Sequence, residues 1–184
     1  SRWAPSWGHD IAGATLGLVG CGRIGQAVAR RAAGFGMTLL AYDPSPSPEA
    51  ASLGVRFVTL DELLGRSDFV SLHAALTPST RGLIGEAELR RMKPSSYLVN
   101  TARGAVVDEA ALVRALNEGW IAGAAIDAFV TEPLPSGHPL STAPNLLLTP
   151  HQASFGAATG RRVSEAAAQA LVEARERSEE HTSE

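Results

Sequence analysis

Three side chains far apart in the chain, Arg103, Glu132 and His151, supply a planar cation, a carboxylate and an imidazole. Arg103 and His151 each follow an apolar strand-like run, and strand ends are where sites form in doubly wound sheets. The fork of Arg103 can hold a carboxylate at two points, and an imidazole is the side chain best suited to give and retrieve a proton near neutral pH. Glu132, between the sixth and seventh strand-like runs, would hold and charge that imidazole so that its protonated form meets the substrate. Reducing a 2-oxo acid needs such a proton donor for the carbonyl oxygen, a cation for the carboxylate, and a hydride from a nicotinamide. Each residue alone is more often structural; the set, downstream of a cofactor loop, points to catalysis. His73 and His138 lack comparable partners in the sequence and are read as loop histidines, His73 being a candidate lining of the cofactor groove.

The loop that would bring the nicotinamide is Gly20-Cys21-Gly22-Arg23-Ile24-Gly25. It follows the buried-strand pattern Thr15 to Val19 and leads into a helix-like segment, Ile24 to Phe35. Strand, Gly-x-Gly-x-x-Gly turn and helix together aim backbone N–H groups and the positive end of the helix dipole at a pyrophosphate. Gly20 allows the tight turn, Gly22 the approach of the phosphates, and Gly25 the packing of helix on strand. A second strand, Thr38 to Tyr42, ends in Asp43, roughly 20 residues past the loop, where a ribose 2′-hydroxyl is usually caught. Its charge would repel a 2′-phosphate, and no Arg or Lys follows closely, so NAD is expected over NADP.

Further apolar runs at Val55 to Phe57, Phe69 to Leu72, Tyr97 to Asn100, Ala122 to Ile126 and Leu146 to Leu148 alternate with amphipathic segments. That alternation predicts an α/β fold: a Rossmann-type doubly wound parallel sheet of about seven strands with helices on both faces. Thr59-Leu60-Asp61-Glu62 reads as a capping box opening a helix to Leu64, and Asp108 as the cap of a helix from Glu109 to Glu118 that Gly119 ends. A last helix is expected from about Ala158 to Arg175 with Ala and Val on an inward stripe. Pro44, Pro46 and Pro48 read as a stiff connector.

At 184 residues, 45% of them hydrophobic, the chain can bury a sizeable core. A net charge of -3, scattered basic residues and few aromatics give no sign of nucleic-acid binding. The one cysteine, Cys21, excludes an internal disulfide and a cysteine-based metal cluster, and it reads as a small apolar filler. No metal is expected. Without an evident membrane span or secretory signal, the expected location is cytoplasmic. The polar run 177–184 resembles one reading frame of a short-read sequencing adapter and is expected to be a non-native tail.

Four segments carry a resemblance: Leu18 to Gln26 around the glycine loop; Leu98-Val99-Asn100-Thr101-Ala102-Arg103-Gly104; Ala125 to Phe129 with Glu132-Pro133-Leu134-Pro135; and Leu148-Thr149-Pro150-His151. From Gly13 to about Ala174 the chain resembles the NAD-binding domain of the D-isomer-specific 2-hydroxyacid dehydrogenases. The resemblance implies that Arg103 binds the substrate carboxylate, His151 is the acid/base and Glu132 its partner. It also implies that Arg23 and Ile24 offer amides to the pyrophosphate, that Thr101 and Ala102 pass beneath the cofactor, and that Asp127 meets the nicotinamide carboxamide. It divides the chain into a stub of a substrate domain at 1–10, an NAD-binding domain at 11–176 and the tail. A homodimer is implied, as is poor turnover by the piece alone. Where the family reads His-x-Pro-Leu-Thr, this chain has His73-Ala74-Ala75-Leu76-Thr77, which puts the stiffness of a lining loop in question. Two alternatives stay open. One is a sibling oxidoreductase acting on phosphite or formate, the formate enzymes being expected to carry an amide where Glu132 stands. The other is a non-catalytic NAD-sensing module.

Overall fold

A computed structural model of the chain describes residues 8–181, with side chains as far as Arg175. Ser1 to Trp7 of the expected stub and 182–184 of the expected tail lie outside the described residues. Seven strands are found among those residues: β1 Thr15–Val19, β2 Thr38–Tyr42, β3 Arg56–Phe57, β4 Phe69–Leu72, β5 Tyr97–Asn100, β6 Gly123–Ile126 and β7 Leu146–Leu148. They form one parallel sheet in the order β3-β2-β1-β4-β5-β6-β7. This is the expected doubly wound sheet. Only β3 and β6 differ from the reading above, each starting one residue later.

Alternation along the strands separates two cores, as the period of two requires. Leu16 and Leu18 of β1 and Leu39 and Ala41 of β2 join Ala29 and Ala32 of helix α1 (Arg23–Ala33) on one face. On the other, Val19, Leu40, Val70, Leu72, Leu98 and Ile126 meet Leu63 and Leu64 of α3 (Leu60–Arg66), Leu89 of α4 (Glu86–Arg91) and Leu112 of α5 (Glu109–Glu118). Each fully buried Leu contributes roughly 1.5–3 kcal/mol to holding those layers. The sheet and α3 pack closely at Gly17, where a Cβ would stand 2.5 Å from Leu63 Cδ2.

The caps explain where the helices begin and end. Asp108 Oδ1 accepts from the N–H groups of Ala110 and Ala111, both at 3.0 Å, and Gly119 ends α5 at φ +71. Thr59 Oγ1 accepts from Glu62 N–H at 3.2 Å, which is half of the expected capping box. The Glu62 carboxylate turns instead to Arg56 and Arg66, and α3 runs on to Arg66. Pro48 does not merely stiffen a connector: it opens α2 (Pro48–Ser52), capped by Ser47. α1 stops at Ala33 rather than Phe35, because Gly34 and Gly36 close its last turn.

The chain divides into two units, Ser1–Pro150 and His151–Glu184, and the second holds a long helix α6 (Ala157–His181). α6 runs past Arg175, where the sequence reading ends it, since the segment beyond holds no Gly or Pro to stop it. Within this unit the expected Ala and Val stripe covers nothing: Val163 and Val172 are exposed, as is Leu171. Among the described residues of its unit no other regular element is present to cover them. No helix among the described residues is long and apolar enough to cross a membrane, and none of their His, Cys, Asp and Glu side chains gather as a metal cluster.

Candidate active site and cofactor groove

Strand order reverses between β1 and β4, and the carboxyl ends of these strands open the crevice in which sheets of this kind bind ligands. Gly20 leaves β1 at φ +90, its N–H donating to Tyr42 O at 2.8 Å, while His73 N–H donates to Val19 O at 2.7 Å. A Cβ on Gly20 would lie 2.7 Å from Ala74 N, and one on Gly25 2.5 Å from Gly20 O. Both glycines therefore serve the packing of the turn itself. Gly22 differs, since a Cβ there would meet nothing within 4 Å.

Gly22 is also the N-cap of α1, without a side-chain cap and with no acidic residue in the first turn. The amides of Arg23 and Ile24 thus open the helix with its positive dipole end unneutralised. Cys21 is buried and its thiol pKa is raised, by burial and then by the neighbouring Asp43 charge, so it is a packed thiol and no nucleophile. Asp43 stands just past β2 and grips the loop: its carboxylate accepts from Cys21 N–H at 2.7 Å and Ser45 N–H at 2.8 Å.

Two grooves meet along this edge, of about 510 and 420 Å³. The larger is lined by Gly20, Gly22, Asp43, Thr77, Ser79 and Thr80 among others, the smaller by Ile24, Leu76, Thr101, Ala102 and Arg103, and His73 lines both. His73 lies against Ser71 Oγ, 3.0 Å from its Nε2, and burial lowers its pKa and favours the neutral ring.

Beyond β5 the chain turns through Thr101, Ala102 and Arg103 into a 3-10 turn at Gly104–Val106. Asn100 is buried and shapes that turn, its Nδ2 donating to Arg103 O at 3.0 Å and its Oδ1 accepting from Ala102 N–H at 3.0 Å. The Arg103 guanidinium is exposed, bonded to Ala102 O at 2.7 Å. Gly104 is where this loop meets the next. A Cβ on it would stand 2.0 Å from Phe129 C and 2.3 Å from Val130 N, so only glycine lets the backbone after Arg103 lie on the backbone before Glu132.

Asp127, just past β6, is buried; its carboxylate accepts from Thr149 Oγ1 at 2.5 Å and its N–H donates to Asn100 O at 2.9 Å. A buried carboxylate needs donors, and the chain itself supplies this one. Glu132 precedes a cis peptide bond to Pro133, and its Oε1 accepts from Phe129 N–H at 2.9 Å. His151 opens the second unit in a left-handed backbone conformation, φ +51, with its side chain exposed. The structure therefore brings Arg103 and Glu132 together through their loops, while His151 belongs to the second unit. His138 corrects the sequence reading: its Nε2 lies 3.6 Å from Glu109 Oε2. That pair spans 29 positions and no motif announced it.

The model of the D-isomer specific 2-hydroxyacid dehydrogenase, NAD binding domain, matches residues 1–153. The chain belongs to this family. It is 51% identical over 178 residues to the glyoxylate reductase of Korarchaeum cryptofilum, covering 93% of this chain and 54% of that protein. With the glyoxylate reductase of Thermococcus gammatolerans the identity is 53% over 156 residues, 83% of this chain and 46% of the relative. Among solved structures, the apo form of Escherichia coli D-lactate dehydrogenase superposes with a TM-score of 0.85 at 39% identity, over 92% of this chain and 54% of that one. The NAD-complexed D-isomer specific 2-hydroxyacid dehydrogenase of Lactobacillus delbrueckii ssp. bulgaricus gives 0.76 at 36% identity, over 84% and 52%. The chain spans about half the length of the relatives it matches. Its NAD-binding character agrees with the loop, where Gly22 leaves room that packing does not claim and an uncapped helix start faces the crevice.

Proposed function

We propose that this domain serves an NAD-dependent D-2-hydroxyacid dehydrogenase acting mainly as a 2-oxo acid reductase, with glyoxylate or hydroxypyruvate as substrate. The supporting observation is the backbone contact at Gly104, which sets the loops of Arg103 and Glu132 side by side at the carboxyl edge of the sheet, next to the groove lined by Ile24 and His73. In this reading Gly20, Gly22, Arg23, Ile24 and Gly25 hold the pyrophosphate, Asp43 the ribose hydroxyls, and Thr101, Ala102 and Asp127 the nicotinamide end. NADH supplies the hydride for the carbonyl carbon. Arg103 clamps the carboxylate and draws electron density toward the carbonyl oxygen, which His151 protonates while Glu132 balances the charge on the imidazole. In the reverse direction His151 takes the hydroxyl proton back. A cytoplasmic location and a homodimer built through this domain belong to the same reading.

Preference for NADH over NADPH rests on the Asp43 charge. Calorimetric titration of the chain with both nucleotides should give at least about tenfold tighter NADH binding, a difference of about 1.4 kcal/mol. Because Asp43 also holds the Cys21 and Ser45 amides, Asp43→Asn is the informative variant: it removes the charge while keeping an acceptor oxygen. It should narrow the preference; equal NADH and NADPH binding by the unaltered chain would overturn the assignment. In the full-length enzyme, glyoxylate reduction that survives Arg103→Gln or His151→Gln undiminished would overturn the chemistry.

A further inference from the structure

We infer that Glu109 is a positioning residue that clasps both ends of the turn bearing Glu132, with His138 as its second point of attachment. The inference rests on the reading of Glu132 given above. Glu109 is the first residue of α5, and its side chain is only 14% exposed. A carboxylate drawn that far from water needs compensation, and its hydrogen-bond donor and its imidazole neighbour both come from the turn. Its Oε1 accepts from Val130 N–H at 2.8 Å, two residues before Glu132. Its Oε2 faces His138 Nε2 at 3.6 Å, six residues after Glu132.

The tautomer of a neutral His138 ring follows from its other nitrogen. Nδ1 accepts from Leu140 N–H at 3.3 Å as the cap of the 3-10 turn Pro139–Thr142, which leaves the ring hydrogen on Nε2, the atom that faces Glu109. The carbonyl of His138 is held in turn by Ser141 Oγ at 2.6 Å. One carboxylate therefore closes the segment Val130–His138 at both ends, and inside it the Glu132 carboxylate folds back on Phe129 N–H. Since α5 follows the Arg103 loop directly, Glu109 ties the Glu132 turn to the same piece of chain that carries Arg103.

The Phe129 amide reports where the Glu132 carboxylate sits, because it donates to it. Its NMR shift in the full chain should follow a carboxylate titration that vanishes in Glu132→Ala. Glu109→Ala should shrink that titration at least about threefold, as expected when one of two neighbouring hydrogen-bonded anchors is withdrawn. Glu109→Gln, which keeps an acceptor for Val130 N–H, should restore most of it. If Glu109→Ala does not fold, His138→Asn takes its place: it keeps a cap acceptor for Leu140 N–H and removes the Nε2 donor, with a fall of about half expected. A merely structural Glu109 would lower the melting temperature and leave the Phe129 titration intact, and that outcome overturns the inference. So does a Phe129 amide that shows no titration in the unaltered chain. Failure of the catalytic reading is seen separately, as undiminished glyoxylate turnover by a Glu132→Gln enzyme.

Discussion

Gly22 and Gly25 stand three residues apart in one motif, yet alanine at each should fail in different ways. At Gly25 a new Cβ would lie 2.5 Å from Gly20 O, a backbone atom that cannot swing aside. Overpacking of this kind costs about 1–3 kcal/mol, and alanine returns up to about 1 kcal/mol as the better helix former, so the net loss is about 1.5 kcal/mol. For a unit of this size that is a fall of about 3–6 °C in melting temperature. At Gly22, with φ -73 and ψ -160, alanine fits the backbone and its Cβ meets nothing. Losing glycine at an N-cap costs several tenths of a kcal/mol, and the smaller entropy of the unfolded chain returns about as much, so the melting temperature should move by less than about 2 °C. The methyl would instead stand where the phosphates approach, and NADH should bind at least about tenfold more weakly. Thermal unfolding and calorimetric titration of the two variants side by side make the test. Gly22→Ala that binds NADH like the unaltered chain, or that unfolds as early as Gly25→Ala, would refute the division of roles.

Two further outcomes follow from the same geometry. Gly104→Ala drives a Cβ to 2.0 Å from Phe129 C. It should lower stability by at least about 3 kcal/mol, or about 6–12 °C; a shift below about 2 °C would show that the Arg103 and Glu132 loops are not in contact. His73 is held neutral by burial, its pKa lowered from the ordinary 6.5. The unfolded chain therefore takes up a proton near that pH that the folded chain refuses, and stability should fall as pH drops below about 6.5. His73→Gln should flatten that fall between neutral and mildly acid pH, and an unchanged slope in thermal melts would count against the burial argument.

Most of the sheet was legible because each strand announces itself locally. Leu16, Leu18, Leu39 and Ala41 recur at a period of two on one face, and Val19 and Leu40 on the other, so the bounds of five strands could be read to the residue. Short helices such as α2 and α4 carry no amphipathic period and escaped notice. The Glu62 box failed for a related reason: the side chain that should have closed it is better served by Arg56 and Arg66, neither of which the four-residue pattern contains. For α6, a stripe in sequence states only that a helix could bury a face, and among the described residues its own unit holds no other regular element to meet it.

The candidate site divides along the same line. The glycine loop and Asp43 are contiguous signals, and their geometry follows from φ values and strand ends that the local sequence dictates. What holds Glu132 in place could not be read that way. Gly104 looks like a flexible residue after an arginine until the Phe129 backbone is seen against it, and Glu109 looks like an ordinary acidic residue in the first turn of a helix until Val130 and His138 arrive from 21 and 29 positions away. An acidic residue at that place would be favoured by the helix dipole alone, so the type of residue carried no surplus information. Its burial did. A carboxylate kept 14% exposed at a helix start, with an amide and an imidazole brought to it from a turn that itself bears a carboxylate, is better explained by the need to hold that turn than by the dipole, which a solvated side chain would have served as well.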